Sequence, residues 1–347
     1  FSQEFQLLGN VGDSIDYLFG LYYFYEKAEE ASLPMRHTFS VYPFSGGTLY
    51  NIGAEYNEID NDAIAFFTQF TWTPDIFEQR LHLTAGWRHS EDSREAKRQF
   101  IERILVDNDS SVAELTPSTF QANPDRDFDD DSFTFIVEYD WADNFNVYGK
   151  YAGAYKSGGY NIRDPDETGF SDGFDEEKLN AWEAGLKGHL LDQRVRINTA
   201  VFYQKYDDFQ YNFPLPGYIA ATRVYNVDEG EMAGIEFDLS LIPTSGLLLQ
   251  INYAYLDSKL DPVDNPESGE RQEFNFTNAP EHTYSLIADY TWPPASYGVW
   301  NINVSRSFTD ERKGTSEYNY RDSYGLINAR VSLAEINGMG GKWMVAA

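Results

Sequence analysis

Five histidines, a few arginines near the ends of patterned segments, and acids gathered in runs are the side chains of this 347-residue sequence best suited to chemistry. His37, His82, His89, His189 and His282 fall at no spacing that would close a metal site. There is no His-Glu-x-x-His, no Gly-x-Ser-x-Gly and no Gly-rich phosphate loop. His89 is followed by Ser90, Glu91 and Asp92, which would serve a hydrolase only if folding brought base, nucleophile and acid together. A polar rim explains the same run without catalysis, and the chain is read as a non-enzyme. Cysteine is absent, which excludes a thiol nucleophile, a Cys zinc site and a disulfide scaffold. No metal site and no cofactor are expected.

Ligand binding is the chemistry that remains. Arg88 shares a phase with Arg80, His82 and Thr84, opposite Leu81, Leu83 and Trp87, so on a strand it points away from the apolar side. Tyr160, Asn161 and Arg163 follow Ser157-Gly158-Gly159, whose glycines permit a sharp departure from a strand. Arginine and tyrosine at such places grip anionic, catechol-like or sugar-like ligands through charge-assisted bonds and stacking. The competing explanation is that they pair with nearby carboxylates. Acids outnumber bases by 56 to 26, and the formal charge of -30 repels phosphates, so no nucleic-acid partner is expected. The acids collect at Asp125 to Asp131, Asp164 to Glu177 and Asp257 to Glu273, read here as solvated loops, or as loops that hold divalent cations or select ligand charge. Asp207 and Asp208 are read as solvation near a strand end.

The elements that must carry these residues are strands. In 194–203, Val195, Ile197, Val201 and Tyr203 share one face while Arg194, Arg196 and Asn198 take the other. Tyr17, Phe19, Leu21 and Tyr23 repeat the pattern, as do Phe133, Phe135, Val137 and Tyr139, and later Ile327, Ala329, Val331 and Leu333. Aromatics make up 16% of the chain and mean hydropathy is -0.51, with no apolar run long enough for a spanning helix. A membrane barrel escapes that limit, because each strand needs only about 10 residues and only alternate ones meet lipid. Short connections at 9–13, 74–79, 142–144, 191–193, 243–246, 293–296 and 337–341 alternate with long ones at about 27–58, 97–128, 158–178, 211–221, 259–274 and 310–321. Outer-membrane barrels sort their loops this way, with short periplasmic turns and long extracellular loops. Trp72, Trp141 and Trp292 each sit where a strand meets a short turn, and at one depth they form a rim of an interfacial girdle. The expected fold is all-β, an antiparallel transmembrane β-barrel segment of about 13 or 14 strands.

Several segments carry a family likeness. They are Val147-Tyr148-Gly149-Lys150-Tyr151-Ala152 leading to Tyr155-Lys156-Ser157-Gly158-Gly159-Tyr160-Asn161; Glu183-Ala184-Gly185-Leu186-Lys187; Ala200-Val201-Phe202-Tyr203 with Tyr206-Asp207-Asp208-Phe209-Gln210; Asn226 with Gly234-Ile235-Glu236-Phe237; Tyr253-Ala254-Tyr255; and Asn278-Ala279-Pro280-Glu281-His282-Thr283. In order and spacing, over roughly 145–333, the chain resembles the C-terminal barrel of TonB-dependent outer-membrane receptors. The resemblance implies a larger barrel of about 22 strands filled by a plug, in a Gram-negative outer membrane. It implies active uptake of a scarce ligand, most often a ferric siderophore, with energy delivered through the TonB complex. Both ends read as strands cut short, so residues 1–347 are expected to be part of the barrel domain, with the plug, the TonB-contacting segment and the closing strand elsewhere in a longer protein. Outer-membrane lipid, the TonB complex and the small ligand are the implied partners. A carbohydrate or corrinoid receptor and a passive porin are the alternatives.

Overall fold

The computed structural model describes residues 1–32, 48–108, 111–215, 221–266, 269, 271–272, 276–314, 320–338 and 341–347. Its strands are β1 (Ser2–Val11), β2 (Ile15–Ser32), β3 (Thr48–Trp72), β4 (Leu81–Asn108), β5 (Ser111–Ala122), β6 (Asp125–Ala142) and β7 (Phe145–Lys156). After the short helix α1 (Glu167–Asp172) come β8 (Glu177–Leu190), β9 (Val195–Pro214), β10 (Thr222–Thr244) and β11 (Leu247–Leu260). A two-residue pair, β12 (Val263–Asp264) with β13 (Arg271–Gln272), precedes β14 (His282–Thr291) and β15 (Val299–Thr309). A second such pair, β16 (Arg312–Lys313) with β17 (Tyr320–Arg321), precedes β18 (Tyr324–Gly338) and β19 (Gly341–Ala346). Among the described residues one antiparallel sheet runs β1-β2-β3-β4-β6-β7-β8-β9-β10-β11-β14-β15-β18-β19, with β5 hairpinned onto β4. Each sheet neighbour follows its predecessor in sequence apart from such excursions, so the tight turns gather at one end and the long connections at the other.

The tight turns suit their residues. Gly12 and Gly246 take positive φ of 63° and 85°, and Leu191, Asp192 and Gln193 turn the chain through the left-handed region. At the other end the strands run much further than hydropathy predicts. The connections expected at 27–58 and 97–128 are largely ladder: Lys27 to Ser32 pair with Asp60 to Glu55, β4 pairs with β3 as far as Asp107, and β5 and the start of β6 fill most of the second interval. The acids at Asp125 to Asp131 therefore lie on β6 and not in a loop. β4 has 28 residues, nearly three times what a crossing needs. Beyond the bilayer both faces of a strand meet water, so alternation is lost while the ladder persists. Cross-strand charge replaces it: Glu58 accepts from Lys27 at 3.0 Å and from Lys97 at 2.9 Å. Those hydrogen bonds hold its carboxyl at about 2, far below the usual range. Residues 33–47 of the first interval lie outside the described residues.

One face of the sheet is apolar and bare. Leu21, Phe66, Phe135, Val137, Val201 and Leu286 are all exposed, a contiguous surface that a water-soluble monomer does not carry. Aromatic rings join across it: Phe66 with Trp87 at 5.8 Å, Phe135 with Tyr151 at 6.3 Å, Tyr151 with Trp182 at 5.5 Å and Trp182 with Tyr203 at 5.7 Å. This row lies several residues outward from the tight turns, opposite in depth to Trp72, Trp141 and Trp292. Those three tryptophans are 51%, 69% and 43% exposed, each beside a tight turn. An aromatic band at either end of an apolar face is the arrangement that a bilayer stabilises.

The buried apolar clusters sit at the outer end of the wall. One joins Ala96, Phe100, Phe120 and Ala122 of the β4–β5 hairpin to Phe170 of α1. The other joins Tyr211, Phe213, Val227, Leu260 and Phe276. In β9 the odd-numbered residues face outward through Tyr203, yet Phe209, Tyr211 and Phe213 pack with inward-facing Tyr206. Asp208, at φ 55°, reverses the phase between them. The reading of Asp207 and Asp208 as simple solvation omits this role of Asp208.

Candidate functional site

The inner face of β2, β3, β4 and β6 carries Arg88. Gly20 faces Phe67 across the β2–β3 ladder, and the ring of Phe67 fills the space that a side chain at 20 would need. That ring and the ring of Tyr22 form a bed for the Arg88 guanidinium, whose carbon lies 5.6 Å and 5.4 Å from their centres. Arg88 Nε donates to Ser90 Oγ at 2.9 Å. Among the described residues no carboxylate lies within ion-pair distance of Arg88. Arg88 lines a cavity of about 410 Å³ together with Tyr22, Phe24, Asp92, Ser132 and Tyr155. Arg88 is thus a guanidinium on an aromatic bed with no carboxylate partner among the described residues.

The outer margin of the cavity is tied down. The Tyr155 hydroxyl donates to Asp92, and burial together with that carboxylate raises its pKa above the usual phenol range. Arg94 donates to Asp92 Oδ1 at 2.7 Å and to Ser157 Oγ at 2.7 Å. Asp92 is thereby paired with Arg94, while Arg88, the other ionic side chain named in the cavity lining, has no carboxylate partner among the described residues.

Tyr160, Asn161 and Arg163 lie elsewhere, on the segment joining β7 to β8, and none of them lines the Arg88 cavity. The Asn161 amide donates to the Thr222 carbonyl at 2.7 Å, and its own oxygen accepts from Arg163 N–H at 3.0 Å. Tyr160 packs on Phe170 with ring centres 5.9 Å apart, and burial raises its pKa. The Arg163 side chain is exposed.

Three residues that organise this segment were not singled out from the sequence. Asp164 is fully buried and receives Arg223 in a two-pronged bond, with Nη2 to Oδ1 at 2.9 Å and Nε to Oδ2. That bond raises the Arg223 pKa still further. Arg98, 1% exposed, lies among the rings of Phe100, Phe120 and Phe170 at 5.0 to 5.6 Å and donates to the Ile162 carbonyl. Only the distant partner distinguishes Asp164 from its solvated neighbours, and periodicity carries no such information.

The His89 run separates. His89 Nδ1 lies 3.1 Å from Asp131 on the outward face, where Trp87 also donates to Asp131 at 2.8 Å. Ser90 lies on the opposite face with Arg88. The imidazole and the hydroxyl therefore do not meet.

Residues 1–343 match the family described as TonB dependent receptor-like, beta-barrel. The metal-pseudopaline receptor CntO of Pseudomonas aeruginosa is 28% identical over 144 residues, covering 41% of this chain and 19% of that receptor. Among solved structures, the ferric yersiniabactin uptake receptor FyuA from Yersinia pestis superposes with a TM-score of 0.71 at 16% identity, over 96% of this chain and 46% of that one. The copper transporter OprC superposes with a TM-score of 0.54 at 13% identity, over 99% of this chain and 58% of that one. The chain thus spans about half the length of the solved receptors it matches.

Proposed function

Since the chain belongs to the TonB-dependent receptor β-barrel family of the outer membrane, we propose that it is part of the barrel wall of an active importer whose ligand is a ferric siderophore. The observation that carries the ligand class is Arg88. Its free guanidinium edge, aromatic bed and flanking hydroxyls of Ser90 and Ser132 suit an anionic chelate with planar rings, which stacks on the aromatics while its oxygens take the charge-assisted bonds. The names of the metal-pseudopaline and ferric yersiniabactin receptors support the same class. In this reading the metal arrives as cargo inside its chelator, the plug and the TonB-contacting segment belong to the rest of the protein, and the TonB complex supplies the energy. Asn161 and Arg163 act by shaping the mouth through their bonds to Thr222, and Tyr160 by packing on Phe170. No catalysis is proposed: the Ser90 and His89 side chains are separated by the sheet.

Growth of a deletion strain under iron limitation tests the reading. Complementation with the full-length gene is expected to restore growth on at least one defined ferric siderophore and to fail when TonB is also deleted. Rescue by a sugar or a corrinoid alone, or rescue without TonB, would overturn it.

A further inference from the structure

The lipid-facing side of β15 carries one charge that the apolar pattern does not account for. Trp300, Ile302, Val304, Arg306 and Phe308 share that face. Asn301 and Asn303 take the inner face, where both donate to Asp289, at 2.8 and 2.9 Å. Arg306 is exposed, and it pairs with Leu286 on β14 and with Ile327 on β18, which are 40% and 72% exposed. One step outward on the same face the rings of Tyr284 and Phe308 stack at 5.3 Å. Trp300, toward the tight turns, lies roughly 20 Å from Arg306 along the strand, which is about 15 Å along the membrane normal at the tilt of a barrel strand. The arginine therefore leaves the wall inside the apolar band, in its outer half.

No hydrogen bond or ion pair engages the Arg306 side chain among the described residues. Other basic groups on this face are matched: Lys27 and Lys97 by Glu58, Lys205 by Glu229 and Lys259 by Asp257. All four lie outward of the aromatic rings, where water reaches them. Asp310, two steps beyond Arg306 on the same face, accepts from the Glu311 N–H and is outside ion-pair distance of the arginine. Both neighbours of β15 are in place, so no further barrel strand can bring a partner alongside it. A bare guanidinium beside Leu286 is unfavourable in hydrocarbon, and its long stem relieves this by extending toward the nearer interface. The anions at that interface are lipid headgroups, and a phosphate accepts two parallel bonds from the guanidinium fork.

We propose that Arg306 holds the phosphate of an outer-leaflet lipid, with Tyr284 and Phe308 beside the headgroup and Leu286 and Ile327 against the acyl chains. The site lies on the opposite face of the wall from Arg88 and is independent of what is imported.

The test uses the full-length receptor, purified in detergent and titrated with diphosphoryl lipid A, with bound lipid counted by native mass spectrometry. Arg306→Gln is expected to weaken binding about ten-fold. Arg306→Lys, which keeps the charge and loses the fork, is expected to weaken it about three-fold, and Lys205→Gln is expected to leave it unchanged. Dephosphorylated lipid A should bind wild type and Arg306→Gln alike, and more weakly than the phosphorylated lipid binds wild type. Equal binding of diphosphoryl lipid A by wild type and Arg306→Gln, or binding by wild type that ignores the phosphates, would overturn the site. A lipid-free dimer that Arg306→Gln turns into a monomer would also overturn it, by giving the arginine to a carboxylate of a second copy. Should heat-modifiable mobility show that Arg306→Gln does not assemble, the phosphate dependence of wild type and the Arg306→Lys contrast decide the question.

Discussion

Replacing Asp164 by Asn should loosen the β7–β8 segment and little else. The carboxylate is fully buried and accepts two bonds from Arg223, whose own side chain is 21% exposed. Breaking a fully buried ion pair by removing one partner costs about 3–5 kcal/mol. The remaining solvent access of Arg223 lets water take over part of the lost contact, and the Asn side chain still accepts one hydrogen bond, which brings the expected cost to roughly 2–3 kcal/mol. At about 1.4 kcal/mol per tenfold, this is a local opening constant on the order of 30- to 150-fold larger. Amide hydrogen exchange of the full-length receptor, resolved by mass spectrometry, reads that constant directly for the Asp164 amide, bonded to the Asn161 carbonyl at 3.0 Å, and for the Phe170 amide, bonded to the Asp166 carbonyl at 2.9 Å. Peptides from the spanning part of β9 serve as the internal reference and should not change. Acceleration below about three-fold at these amides, or equal acceleration across the sheet, would refute the assignment of the pair as a local anchor.

Other substitutions follow from the same geometry. Arginine at Val201 or Leu286, exposed on the apolar face, should cost roughly 2–4 kcal/mol near mid-membrane and depress assembly, scored by heat-modifiable mobility, whereas arginine at Asn198 should be tolerated. Equal tolerance at all three would remove the lipid-facing assignment. Phe170→Ala should cost about 3–5 kcal/mol of local packing and accelerate exchange over 160–175 more than over β9. For Glu58 the folded pKa is depressed, so its contribution is complete above the unfolded value of 4.5 and is lost as pH falls toward about 2. Protection of the outer β2–β3–β4 ladder should therefore decline between pH 4.5 and about 2 and become flat over that range in Glu58→Gln.

The wall was legible in the sequence wherever lipid on one side and water on the other impose a period of two. Val195 to Tyr203 is such a stretch, and Arg88 could be placed inward from its phase alone. Beyond the bilayer that constraint lapses, which is why Lys27 to Ser32 and Lys97 to Asn108 read as loop although they form ladder. Asp164 looked like any other acid in a run, because its burial depends on Arg223, 59 positions away. Phe209, Tyr211 and Phe213 were invisible as a core because a single positive φ at Asp208 moves them to the other face. The sequence thus reports a strand's environment well and long-range side-chain partnership poorly.

Whether Arg88 receives a ferric siderophore is decided by the binding of defined ferric siderophores to the purified full-length receptor, compared with Arg88→Gln. At least one anionic ferric chelate is expected to bind, and the substitution to weaken it about 10- to 100-fold by deleting charge-assisted bonds while the barrel assembles normally. Undiminished affinity in Arg88→Gln, or no binding of any ferric chelate by the intact receptor, would contradict it.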